Sequence, residues 1–209
     1  MPYRFDSSHA KVREDGHASF LQDPAPMGEH FRALVDGAQL TPEFRANLPK
    51  AIEITFDRPE AKLTHMMPDG TQPIWTFHRK LTDELERLEP GVHEFVPISV
   101  RNEDGSLIDG ENYRLSIITQ KIECFDLDRT FWRTALEEKF GEAAAQDANF
   151  RPFDLEVPVH LKGAEIEGKH LWRGAPGHGA RTLYCSDAVA DFVKRKELRG
   201  WELIPVEVV

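Results

Sequence analysis

Residues 78–100, HRKLTDELERLEPGVHEFVPISV, decide how the rest of the chain is read. Leu81, Leu85 and Leu88 recur at three- and four-residue spacing, so they share one face of a helix whose other face is charged. Pro90-Gly91 stops that helix, which the spacing places over 79–88. The apolar run that follows, VHEFVPISV, has the length and composition of a strand over 92–100. An Asn-Glu-Asp-Gly turn leads from it into YRLSIITQKIECFD, which predicts a second long strand over 113–122. A helix feeding a strand meander predicts an α+β fold, with a mixed, mainly antiparallel sheet and helices packed on its face or ends.

Working toward the N-terminus, KLTHMMPDGTQPIWTFH (62–78) reads as a hairpin around Asp69-Gly70, and its two prolines favour an edge position. AIEITFD alternates Ile52, Ile54 and Phe56 against Glu53 and Thr55, the pattern of a half-buried strand. HFRALVDG (30–37) sets Phe31, Leu34 and Val35 at helical spacing before a glycine stop. Residues 1–25 are polar and aperiodic and read as a loosely held arm. Residues 1–51 are therefore expected to form an N-terminal arm and short helix, and 52–209 the α+β domain, with the arm continuous with it.

Toward the C-terminus, Trp132, Ala135, Leu136 and Phe140 predict a helix over 128–146. DLEVPVHL (154–161), KHLWRG (169–174) and RTLYC (181–185) read as strands, with GAPGHGA as a loop between the last two. Ser186 caps a helix over 187–197 whose buried stripe is Val189, Phe192 and Val193, and Gly200 separates it from a closing strand over 201–208. The strands at Glu94 and Glu202 share the frame Glu, two apolar residues, Pro, apolar, any residue, Val. A duplicated helix–strand unit would place both in one mixed sheet. Pro97 and Pro205 each remove a ladder donor, so each strand should sit at an edge or carry a bulge there.

The 209 residues suffice for a core that needs no disulfide or metal staple. No apolar run approaches the roughly 18 residues of a membrane span, and the first residues lack an apolar signal segment. Cys124 and Cys185 form no CxxC pair, which fits free thiols in a cytoplasmic protein. A net charge of −10 argues against nucleic-acid binding by phosphate neutralisation. The acid is uneven: residues 82–147 hold 16 acidic against 7 basic side chains, whereas 169–209 hold 5 against 7. Asp83, Glu84, Glu86, Glu103, Asp104, Asp109 and Glu111 fall on a helix face and a turn where side chains reach solvent. They read either as a solvated acidic surface that keeps the protein soluble or as an anionic face that attracts a basic partner.

The search for chemistry finds little. None of the nine histidines has HExxH or HxH spacing, no P-loop or dinucleotide fingerprint occurs, and no serine elbow is present. No metal, cofactor or catalytic residue is expected. The strongest nucleophile candidate is Cys185, just before a capped helix, with His170 or His178 as base. A cysteine ending a buried strand is the commoner arrangement.

Residues 78–100, the meander 102–126 and the closing run HLWRG…TLYCSDAVADFVKRKELRGWELIPV together resemble the eleventh catalogued family of bacterial polymorphic-toxin immunity proteins. That family has a helix ending in Glu-Pro-Gly, matched by Glu89-Pro90-Gly91, and a His-x-Phe-x-Pro strand, matched by His93, Phe95 and Pro97. A meander ending in Asp-Leu corresponds to Tyr113 and Asp126-Leu127, and the closing elements to Trp172-Arg173, Ser186, Gly200 and Glu202. The resemblance covers about residues 74–208; helix 128–146 and the arm depart from it most. It implies a protein that binds and neutralises a toxin passed between competing bacteria, encoded beside the toxin gene, with no catalytic signature to carry over. The other classes are a cysteine-dependent enzyme built on Cys185 and a histidine, and an adaptor domain in toxin delivery.

Overall fold

Two sheets share one core, and alternation along their strands assigns each side chain to a face. The computed structural model describes residues 1–6, 18–20, 39–48, 50–56, 63–67, 74–102, 104–108, 112–126, 134, 137–138, 141–142, 159–174 and 182–209. The first strands are β1 (Tyr3–Asp6) and β2 (Ala18–Phe20), followed by α1 (Pro42–Asn47), β3 (Ala51–Phe56), β4 (Met66–Met67) and β5 (Ile74–His78). Then come α2 (Arg79–Leu88), β6 (Glu94–Asn102), β7 (Tyr113–Ile117) and β8 (Lys121–Ile122). The described chain closes with β9 (His160–Leu161), α3 (Gly163–Ile166), β10 (Leu171–Gly174), β11 (Leu183–Cys185), α4 (Asp187–Arg195), β12 (Glu202–Pro205) and β13 (Glu207–Val208).

One sheet has the order β2-β3-β6-β7-β5-β4 and the other β12-β1-β11-β10-β8; a two-stranded pair, β13-β9, stands apart. Pairing is mainly antiparallel, with β3–β6, β10–β8 and β13–β9 parallel. The fold is α+β, as the sequence predicts. Trp75 and Phe77 of the larger sheet join Phe5, Leu171, Leu183 and Cys185 of the smaller one in a common cluster. Leu81 and Leu85 of α2 and Val189, Phe192 and Val193 of α4 complete it. The reverse faces bury their own clusters: Val100, Tyr113, Leu115 and Ile117 pack with Leu40 and Leu48, and Trp172 and Tyr184 with Phe125, Val159 and Leu161. Burying one such leucine contributes about 1.5–3 kcal/mol.

Helix α2 occupies the predicted 79–88. His78 caps it by accepting the Lys80 amide at 3.1 Å, and the Glu89 amide closes it on the Leu85 carbonyl at 2.8 Å. Ser186 caps α4 as expected, but the helix stops at Arg195 rather than 197; Glu197 adopts a φ of 51° there. The hairpin at 62–78 is present as β4 against β5, with β4 at the sheet edge. Pro205 lies on the edge strand β12, and Pro97 lies where β6 has only β7 beside it, because β3 joins β6 from Ser99 onward. Both prolines thus occupy places where a missing donor is tolerated.

Several expectations are corrected. The long strand over 113–122 is two strands in different sheets: β7 ends at Ile117 and β8 begins at Lys121. Between them the Thr119 hydroxyl donates to the Val92 carbonyl and the Gln120 carbonyl accepts the Arg173 amide, which carries the chain from one sheet to the other. The strand over 201–208 likewise divides at Val206, whose amide donates to the Pro2 carbonyl. The strand expected over 92–100 runs from Glu94 to Asn102. Tyr3–Asp6 is no loose arm: β1 lies between β11 and β12 with Phe5 buried. A four-residue strand is too short to announce itself by period, and its order comes from its neighbours. The two strands of the repeated frame lie in different sheets, so they do not form the single mixed sheet a duplication would give. Among the described residues only His160–Leu161 of 154–161 is strand; of 128–146, Thr134, Glu137, Glu138 and Glu142 are helical, but Gly141, with a φ of 86°, is not, so the single helix expected there is interrupted. The helix expected over 30–37 and the GAPGHGA loop after Gly174 lie outside the described residues.

Candidate functional site

Cys185, the nucleophile candidate, sits in β11 between Tyr3 of β1 and Leu171 of β10 and has no exposed surface. Burial pushes its thiol far above the range in which a thiolate forms near neutral pH. Cys124 is also buried and its thiol is raised for the same reason. His170 does not serve Cys185: its Nδ1 lies 2.9 Å from the Ser186 hydroxyl, and its amide donates to Glu89 at 3.0 Å. His178 lies outside the described residues. The described geometry therefore does not activate Cys185. Among the described residues no group of three or more His, Cys, Asp or Glu side chains could hold a metal ion. No helix there is long and apolar enough to cross a membrane.

Among the described residues one heavily engaged polar side chain was not expected as a site by the sequence reading. Glu89, at the end of α2, is buried, and both carboxylate oxygens are in use. Oε1 accepts from Gln120 Nε2 at 2.7 Å and from the His170 amide at 3.0 Å. Oε2 accepts from the Leu171 amide at 3.0 Å and faces His93 Nε2 at 3.2 Å. Burial by itself would push this carboxyl up, but the hydrogen bonds from His93, Gln120 and the His170 amide outweigh it and hold the group at about 2. Its partners come from β10 and from the residues flanking β6 and β8, so one carboxylate joins both sheets. A signal was available: an acid at a helix C-terminus opposes the macrodipole and needs donors of its own. Arg173, with its neighbour Trp172, is also fully buried, and its guanidinium stands 5.9 Å from the centre of the Trp75 ring.

The seven acids of the expected anionic face are not equivalent. Asp83 lies between Arg79 at 3.2 Å and Arg114 of β7 at 3.1 Å, which brings it to the base of the β6–β7 hairpin. Glu84 is half-buried and paired with Arg87; the hydrogen bond from that guanidinium, against a burial penalty, lowers its carboxyl. Glu86 turns the other way and accepts the Gly91 amide at 3.0 Å. The acids of α2 are thus largely matched by local donors. Glu103, Asp109 and Glu111 lie outside the described residues.

Asp104 stands on an ordered hairpin tip. Its Oδ1 accepts from the Ser106 hydroxyl at 2.6 Å and amide at 2.9 Å, and these bonds lower its carboxyl. The Asn102 amide donates to the Ser106 carbonyl, the Gly105 amide to the Asn102 carbonyl, and Arg101 Nη1 to the Gly105 carbonyl at 2.8 Å. Gly105 has a φ of 80°, which a side chain would strain. Beside this turn Leu107 is 53% exposed, which is high for a large apolar residue. The tip therefore presents an acid and an apolar side chain in fixed positions while its arginine is used internally.

The family model described as an immunity protein family (Imm11) matches residues 8–208. The chain belongs to that immunity protein family. Among curated proteins none matches it. The Imm11 match reaches well before the residues 74–208 on which the resemblance rested, and so includes β2, α1 and β3. In this Imm11 chain the residues on which the resemblance rested have structural roles: Glu89 bridges the sheets, Arg173 is buried beside Trp75, and Ser186 caps α4. Gly200 presses on β4, and a Cβ there would stand 2.0 Å from the Met66 carbonyl oxygen.

Proposed function

We propose that this immunity protein binds a cognate toxin, neutralises it by covering it, and acts in the cytoplasm of a bacterium that competes by toxin delivery. The observation that carries the reading is the family match across residues 8–208. The partner is a protein of basic character rather than a nucleic acid or a membrane, in keeping with the net charge of −10. Its contact is the anionic face of Asp83, Glu84, Glu86, Glu103, Asp104, Asp109 and Glu111, weighted toward the hairpin tip. Arginines beside Asp83 and Glu84 reduce the field of α2, whereas among the described residues Asp104 accepts from the neutral donors of Ser106. Leu107 supplies apolar area at the same place.

The enzyme alternative loses its support with Cys185 sealed in β11. The test is co-expression with the toxin domain encoded beside this gene, followed by stopped-flow association of the purified pair at low and high salt. The reading expects growth protection and an association rate that falls steeply as the Debye length shrinks from about 10 Å at 0.1 M to about 3 Å at 1 M. Reversing Glu103 and Asp104 to Lys slows association and leaves the melting temperature nearly unchanged. Binding with a salt-independent rate, indifferent to that reversal, would move the contact elsewhere, with the more basic residues from Lys169 onward next in line. An absence of binding and of protection would overturn the toxin-binding role itself.

A further inference from the structure

Away from Glu89 the two sheets meet a second time, where the start of β4 hooks onto the segment between α4 and β12. The Met66 amide donates to the Arg199 carbonyl at 3.0 Å, and the Arg199 amide donates in return to His65 Nδ1 at 3.2 Å. Gly200, with a φ of 124°, packs so closely on the Met66 carbonyl that no side chain fits between. His65 is held in turn by β5, since the His78 amide donates to its carbonyl at 2.7 Å. The His65 and His78 rings meet edge to face with centroids 5.1 Å apart, and Tyr113 meets His78 at 5.2 Å. The Tyr113 hydroxyl donates to the Thr64 carbonyl at 3.0 Å, so three rings fix the backbone just before β4.

Both histidines use Nδ1 to receive a backbone amide: His78 from Lys80 and His65 from Arg199. Only an unprotonated ring nitrogen can accept, so each imidazole is neutral with its proton on Nε2. A second proton on either ring would set N–H against N–H and end that bond. For His78 two further costs arise. It is buried, and it caps the N-terminus of α2, where the helix dipole disfavours a cation. Among the described residues, the charged and titratable groups closest along the adjoining elements are Arg79, Lys80 and Asp83 at the start of α2, Tyr113 and Arg114 on β7, and Arg199 before β12. Asp83 is engaged by Arg79 and Arg114.

We infer that His65 and His78 form an acid-sensitive latch that holds β4 to Arg199–Gly200, and so one sheet to the other, while both rings are neutral. The sign follows from linkage. An unfolded histidine takes its proton near pH 6.5, and the latched form resists protonation, so the hold is complete above that pH and weakens as pH falls below it.

The test uses the full chain labelled with nitrogen-15. Ring-nitrogen shifts at pH 7.5 should show both histidines neutral with the proton on Nε2. Exchange of the Met66, Lys80 and Arg199 amides, corrected for the intrinsic pH dependence, should speed up about tenfold or more between pH 7.5 and 5.5, tenfold being the effect of one unit of resisted protonation. The double variant His65→Asn with His78→Asn keeps an acceptor at each Nδ1 position and removes the titration, so its amides should hold their protection across the range. A wild-type protection that does not change, or a variant that loses it equally, overturns the latch. Should the double variant fail to fold, the ring-nitrogen measurement decides alone: either ring charged, or protonated on Nδ1, at pH 7.5 refutes it.

Discussion

Replacing Glu89 with Gln should be among the most damaging isosteric changes in the chain. The carboxylate accepts three hydrogen bonds from Gln120 and the His170 and Leu171 amides at 2.7–3.0 Å, and its fourth partner is His93. An amide keeps one acceptor oxygen and turns an NH2 group toward donors. Breaking a buried, hydrogen-bonded charge costs about 3–5 kcal/mol. The ionisation of the group gives a second route to the magnitude. Its carboxyl is held at about 2 instead of 4.5, and that preference for the charged form corresponds to about 3 kcal/mol at neutral pH. In a chain of this length the loss should lower the melting temperature by about 6–20 °C. Because the native group resists protonation, its contribution is complete above about pH 4.5 and lost as pH falls toward 2. Urea unfolding of both proteins at pH 7 and pH 3 is the assay, and the gap between them should narrow by about 2 kcal/mol at the lower pH. A gap under about 1 kcal/mol at pH 7, or one unchanged at pH 3, would refute the assignment of Glu89 as the charged bridge.

Gly200→Ala should be severely destabilising, because its φ of 124° and the 2.0 Å approach to the Met66 carbonyl oxygen leave no room for a methyl group; a melting temperature within a few degrees of wild type would contradict the packing. Phe192→Ala should cost about 3–5 kcal/mol in chemical unfolding, since the ring is 8% exposed within the shared core. Cys185→Ser should cost about 1–3 kcal/mol for burying a hydroxyl yet leave protection against the toxin intact, and iodoacetamide should not label Cys185 in the native protein. Rapid native labelling, or loss of protection in a folded Cys185→Ser protein, would restore the case for a reactive thiol.

Helices α2 and α4 were legible because their signals are local, whereas α1 and α3, of six and four residues, were missed because so short a helix shows no period. The leucine stripe of α2, its stop at Pro90-Gly91 and the Ser186 cap of α4 all lie within a few turns of chain. The hairpin of β4 and β5 and the positions of Pro97 and Pro205 were legible for the same reason. Sheet membership was not. YRLSIITQKIECFD looks like one strand because every residue from Tyr113 to Ile122 suits one, and the break at 118–120 is imposed by partners remote in sequence, Val92 and Arg173. β1 was missed because a four-residue strand takes its order from β11 and β12, which lie about 180 and 200 residues away. For the candidate surface, the sequence located the acids but not their partners. Arg114 meets Asp83 only because β7 returns beside α2, so counting charge overstated the anionic character of that helix.

The same reasoning separates what the family pattern specifies from what it leaves open. Glu89 bridges the sheets, Tyr113 fixes the start of β4, Ser186 caps α4 and holds His170, and Gly200 admits the Met66 backbone. Each of these residues closes a contact inside this fold. Membership rests on the match across residues 8–208, and these inward-facing residues explain how such a chain closes its fold. Choice of partner must be written in residues that face outward, where a substitution changes binding without opening a seam. The hairpin tip meets that requirement: its backbone bonds, with Arg101 and Gly105, keep the turn in shape whatever the exposed side chains are. Asp104 is only partly bound to that framework through Ser106, and Leu107 projects from it. Exchanging the side chains at 103, 104 and 107 should thus alter which toxin is recognised while leaving the melting temperature within a few degrees of wild type. A cooperative loss of fold on such exchanges would place the tip among the seams instead.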